Sequence, residues 1–186
     1  MIVINIAVFL LAEIFTGSTL STSVLIRWGA ARVSLIEGGQ YWRLLTAMFL
    51  HSGIRHLLNN MLLLYVLGQH LEFLLGPVRY ALLYIGCGLI ANAVSLYIYR
   101  TRGEDIVFMG ASGAIFAVMG ALLYIVIRYR GRVQGLTLHQ MVVMAAFSLY
   151  FGFVSSGVSN SAHVAGLISG FVSGAMLCRS PQPPIE

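Results

Sequence analysis

The chain has 186 residues, of which 59% are hydrophobic and only 9% charged, with a mean hydropathy of +0.88 and a net charge of +5. A soluble domain carries ~25% charged residues, so too few are present to cover a water-facing surface. That excludes an ordinary cytosolic globular protein, a disordered chain and a DNA-binding domain.

A bilayer-spanning helix needs ~20 mostly apolar residues, and the charge-free stretches mark six. Span one lies at roughly 2–22, interrupted only by Glu13, and is followed by a segment from 27 to about 53. That segment is long for a loop and carries Trp28, Trp42, Arg27, Arg32 and Arg43. Aromatic and Arg residues together suit the headgroup zone, so a partly helical segment lying in the interface is expected. Span two covers 56–71, span three 80–99 and span four 106–127. Residues 133–178 contain no Asp, Glu, Lys or Arg, and these 46 residues hold two further spans with a turn at 155–161. The expected fold class is all-α: a polytopic bundle of six transmembrane helices over 1–179, with a short disordered tail at 180–186. Span one begins at the first residue without a basic leader, so it is not read as a signal peptide.

All eleven basic residues are Arg. Arg grips phosphate through a planar fork, and loop arginines beside apolar runs read as lipid-headgroup anchors rather than as nucleic-acid contacts. The count on the two sides does not decide orientation. The tight cluster Arg128, Arg130 and Arg132 after span four favours that side as cytoplasmic.

Polar groups inside a membrane are costly, and three clusters need an explanation. His56 and Asn60 open span two, Ser112 lies near the start of span four, and His163 opens span six. Spans two, four and six run parallel, so all three clusters share one membrane depth. Ser and His together make a nucleophile and its base. No Asp or Glu falls near that face in these spans, which leaves a dyad rather than a triad. His56 and Asn60 lie four apart on one helix face and can both donate, as an oxyanion hole requires. The amide of Ser112 would join them at a helix N-terminus. Gly113, Ala117 and Ala121 on span four, and Gly166, Gly170 and Gly174 on span six, form small-residue faces that let backbones approach closely.

These residues resemble the rhomboid family of intramembrane serine proteases, in its bacterial six-helix type. Gly110-Ala111-Ser112-Gly113 is similar to the family's GxSG motif, and Ala162-His163-Val164-Ala165-Gly166 with Gly170 to AHxxGxxxG. The run from His51 through His56 to Asn60 resembles HxxxxHxxxN, and Trp42-Arg43 the Trp-Arg element of the first loop. The resemblance covers about 28–178. It implies Ser112 as nucleophile, His163 as general base, and His56, Asn60 and the Ser112 amide as the oxyanion hole. Spacing from His56 selects Asn60 over Asn59. Phe116 stands where some members carry Tyr; its ring would stack on His163 without a hydroxyl contact. Trp42, Arg43 and His51 would be structural. The implied activity is cleavage of single-span or other membrane proteins. The site would open to the extracytoplasmic side of the plasma (inner) membrane, with span five and the 155–161 loop as substrate gate.

No cofactor, metal or nucleic-acid partner is expected. His51, His56 and His163 are joined by no carboxylate or Cys. Cys87 and Cys178 sit in apolar runs and read as small buried hydrophobes. Two competing classes stand against the protease. A non-catalytic rhomboid-like binder of membrane helices would usually lack Ser or His of the dyad. A transporter would show interrupted helices and paired mid-membrane charges.

Overall fold

A computed structural model of the chain describes residues 1–154 and 159–178. Part of the expected 155–161 turn and the whole 180–186 tail lie outside the described residues. Among those residues the long elements are all helical: α1 (Ile2–Thr16), α5 (Gly53–Leu75), α6 (Pro77–Thr101), α7 (Ser112–Arg128), α8 (Leu138–Val154) and α9 (Asn160–Leu177). Between α1 and α5 lie the short α2 (Thr22–Trp28), α3 (Val33–Glu37) and α4 (Arg43–Thr46), then a 3-10 turn, Ala47–Phe49. Two small antiparallel pairs complete the chain. β1 (Ala31–Arg32) pairs with β2 (Val107–Phe108), and β3 (Arg132–Val133) with β4 (Leu136–Thr137).

The first helix is shorter than the expected 2–22. Gly17 adopts φ +84° and returns its N–H to the Glu13 carbonyl, closing α1. The Glu13 carboxylate then accepts from the Thr19 N–H at 2.9 Å and from the Thr19 hydroxyl. That local capture folds the chain back before α2 begins. The segment after it is partly helical, as its composition indicates. Its brace is Arg43, which is buried and donates to the carbonyls of Ile26 (2.7 Å) and Ala30 (3.0 Å) and to the Gln40 side chain (2.7 Å). The Trp42 ring lies 4.5 Å from its guanidinium carbon, a cation–π contact.

Helix α7 is the hub. Every residue from Gly113 to Leu122 is buried, the pattern of a helix covered on all sides. Its most extensive partner is α9. A Cβ on Gly166 or Gly170 would run into the carbonyls of Gly113 and Ala117, and one on Gly120 into the carbonyl of Leu167. The two backbones therefore interdigitate at a distance that only small residues permit.

The outer surface carries many exposed large apolar side chains, among them Ile14, Leu62, Phe73, Leu82, Phe147 and Val172. Water-soluble monomers rarely expose contiguous apolar surface on this scale. Among the described residues only α6 is both long and apolar enough to cross a bilayer by those criteria alone. The apolar helices α1, α7 and α8 are shorter.

Candidate active site

Ser112 is the first residue of α7, and the chain reaches it through Gly110 at φ +121°, a conformation open to glycine. Gly110 donates its N–H to the Ala47 carbonyl at 2.9 Å, tying the loop to the 3-10 turn. His163 lies in the first turn of α9 and is 6% exposed, whereas Ser112 is half-buried. The Ser112 hydroxyl and His163 Nε2 are 2.9 Å apart. For Nε2 to accept that proton, the ring hydrogen must sit on Nδ1. Nδ1 is buried and has no hydrogen-bond partner among the described residues. The Phe116 ring, one turn after Ser112, stacks on the imidazole at 4.2 Å and 13°.

Opposite this pair stand the donors of α5. The Ser52 N–H donates to His56 Nδ1 at 3.3 Å, which leaves the proton on Nε2. A Cβ on Gly110 would lie 2.9 Å from His56 Nε2 and 3.9 Å from Asn60 Nδ2. The missing side chain of Gly110 thus lets the His56 ring approach the backbone two residues before Ser112, with the Asn60 amide beside it. Asn60 uses one amide hydrogen on the His56 carbonyl (3.2 Å), which leaves a second one to donate. The Ser112 N–H belongs to the first turn of α7, where no intrahelical acceptor exists. His51 is fully buried and packs its edge against His56, with ring centroids 5.0 Å apart.

The residues singled out at the termini of three separate helices thus come together. Ser112, His163 and Phe116 form one side and His56, Asn60 and Gly110 the other. Gly113, Gly166 and Gly170 lie in the α7–α9 seam beneath. Trp42 and Arg43 do not reach the site; they act within the first loop. Among the described residues no group of three His, Cys, Asp or Glu could hold a metal ion.

Sequence reasoning missed the clasp that holds the loop before Ser112. Asp105 accepts from Arg32 at 2.8 and 2.9 Å, and from the Ser34 N–H and hydroxyl at 2.9 and 3.0 Å. Arg100 pairs with Glu37 at 2.9 Å. The Ser34 N–H, followed by the Arg32 side chain, holds the Asp105 carboxyl below its ordinary range. The only signal in the sequence was opposite charge in two segments some seventy residues apart.

A family model for the rhomboid domain matches residues 38–180. The chain belongs to the rhomboid family. That family is one of integral membrane proteins. The chain is 39% identical over 176 residues to rhomboid protease GluP of Bacillus subtilis (strain 168), covering 95% of this chain and 34% of that relative. A second relative from the same organism, YdcA, is 36% identical over 138 residues, covering 74% of this chain and 67% of its own length. RHOMBOID-like protein 5 of Arabidopsis thaliana is 36% identical over 166 residues, covering 87% and 52%. The chain therefore spans about a third of GluP, two thirds of YdcA and half of the plant relative.

Proposed function

We propose that this rhomboid is an intramembrane serine endopeptidase that cleaves membrane-protein substrates by a Ser112–His163 dyad. The contact of 2.9 Å between the Ser112 hydroxyl and His163 Nε2 carries the reading. Lone membrane serines usually bond back to a helix carbonyl; here the hydroxyl meets a buried imidazole from another helix instead.

In this mechanism Ser112 Oγ attacks the scissile carbonyl carbon while His163 Nε2 takes its proton. The carbonyl oxygen becomes an oxyanion on the side of Ser112 that carries Gly110, His56 and Asn60. There the His56 Nε2–H, an Asn60 amide hydrogen and the Ser112 N–H stabilise it. One such donor is worth ~2.7–4 kcal/mol of transition-state energy. His163 then returns the proton to the leaving amine, and water repeats the sequence on the acyl-enzyme. With no partner on Nδ1 among the described residues, the imidazolium is stabilised by the face of Phe116.

Six helices cross the bilayer in this reading, and residues 1–179 form the membrane domain. The protein resides in the plasma (inner) membrane. The N-terminal ends of α5, α7 and α9 face the extracytoplasmic side, and the arginines after α7 face the cytoplasm. Short α7 suits this arrangement: at ~1.5 Å per residue it spans less than the ~30 Å hydrocarbon core, which sinks its N-terminus below the outer surface while water still reaches it. Substrates are single-span or other membrane proteins whose helix ends unwind, and α8 borders the gate.

The test is cleavage of a single-span substrate by the protein in proteoliposomes. Product that disappears in Ser112→Ala, by a factor on the order of a thousand or more, is expected. Substrate binding without cleavage by the parent would instead assign a non-catalytic helix-binding role.

A further inference from the structure

A ring of three hydroxyls lies beside the dyad, and nothing in the mechanism uses it. Ser95 on α6 is fully buried, and its Oγ is 3.0 Å from both Ser159 Oγ and Ser161 Oγ. Those two are themselves 3.0 Å apart. Each hydroxyl can donate to the next, so the ring is self-satisfied in a place where unpaired polar groups are costly.

The position of this ring matters more than its strength. Ser159 is the N-cap of α9, and its hydroxyl accepts from the Ala162 N–H at 3.4 Å. The Ser159 carbonyl accepts the backbone N–H of His163 itself at 3.2 Å. Ser95 therefore grips the residue that fixes the backbone of the base. One turn earlier on α6, Ala91 meets α7: a Cβ on Gly113 would lie 2.9 Å from Ala91 Cβ and 3.7 Å from Ala162 Cβ. Helices α6, α7 and α9 thus converge at the residues adjoining Ser112 and His163. The small-residue seam holds the two backbones close but resists sliding of α9 along α7 only by steric fit. The hydroxyl ring adds a directional tie to a third helix at the catalytic end.

We propose that Ser95 is a positioning residue, which through Ser159 and Ser161 sets the register of the first turn of α9 and so the Ser112–His163 contact. The proposal rests on the protease reading above. A second polar contact between the same helices provides the control. Cys87 Sγ and Ser173 Oγ lie 3.2 Å apart, about two turns from Ser95 along α6 and more than three from Ser161 along α9.

The test compares Ser95→Ala, Ser159→Ala, their double variant and Ser173→Ala in proteoliposomes with one single-span substrate. Ser95→Ala is expected to lower kcat about 5- to 20-fold with KM within about twofold, and Ser159→Ala to do the same; such a loss is modest for misplacement of a catalytic group. The double variant should lose no more than either single one, because one ring is broken in each. Ser173→Ala should keep the parental kcat. If Ser95→Ala does not assemble, Ser161→Ala carries the same expectation at a partly exposed site. Parental kcat in the Ser95 variant, or equal losses in the Ser95 and Ser173 variants, overturns the proposal. The 15N shifts of the His163 ring separate the two readings. A parent that cleaves nothing removes the protease. The shift of Nε2 toward a free imidazole in Ser95→Ala, or its absence, still decides whether Ser95 sets the contact.

Discussion

Two regions hold the candidate site, and they do so by different physics. The α7–α9 seam fixes Ser112 against His163 through backbone shape: Gly166 and Gly170 admit the carbonyls of Gly113 and Ala117. The loop side brings Gly110 to His56 and Asn60, and is held by an ion pair, carboxylate hydrogen bonds and one short β-pair. Steric fit is indifferent to pH and salt, whereas an exposed ion pair is screened by salt and lost when its carboxylate is protonated. The pair that must meet within a hydrogen bond is therefore assigned to the element that solvent conditions cannot loosen.

The seam should break hardest. Gly170→Ala places a methyl where the Ala117 backbone already lies. It is expected to cost about 3 kcal/mol or more, the upper range for overpacking, and to remove most activity. Thermal unfolding in detergent and the cleavage assay read the two effects. Next in size is Gly110→Ala. A Cβ there meets the His56 ring in a backbone conformation that L-residues rarely adopt. Cleavage should fall about 100-fold while unfolding shifts by the ~1–3 kcal/mol of local strain. Asn60→Ala should lower kcat by roughly 100-fold, the lower end for one oxyanion donor, with near-parental stability, as one of three donors is lost.

The smallest effect sharpens the contrast. Asp105 has a carboxyl held below its ordinary range in the folded protein. A group depressed in this way adds stability above its unfolded value, and that stability is lost as pH falls through the folded value. The melting difference between parent and Asp105→Asn should be small near neutrality, shrink with salt and vanish on acidification. The Gly170→Ala difference should persist through the same series. A seam variant that tracks pH, or a clasp variant that ignores it, would undo the distinction.

Much of the site was legible because membrane topology does the work of a fold. In the six-span reading, parity puts the starts of the helices bearing His56, Ser112 and His163 at one depth, and the spacing of Gly166, Gly170 and Gly174 marks the face that packs. Other features depend on partners that periodicity does not encode. The reversal after α1 is held by Glu13 reaching Thr19, an interaction between a side chain and a loop that periodicity does not define. The clasp at Asp105 and the ring at Ser95 join residues more than sixty positions apart. Serines and a lone aspartate carry no pattern that would single them out. Phe116 stands where some members of the family carry Tyr, and the stacking on His163 that the resemblance implied is present.

In the protease reading, His163 activates the Ser112 hydroxyl in a site that water reaches. Mass spectrometry of the protein after exposure to a fluorophosphonate probe tests this most directly. A single adduct on Ser112, formed at least about a hundredfold more slowly in His163→Ala, is the predicted result. Labelling that is equally fast without the imidazole, or no adduct on Ser112 in the intact protein, would contradict it.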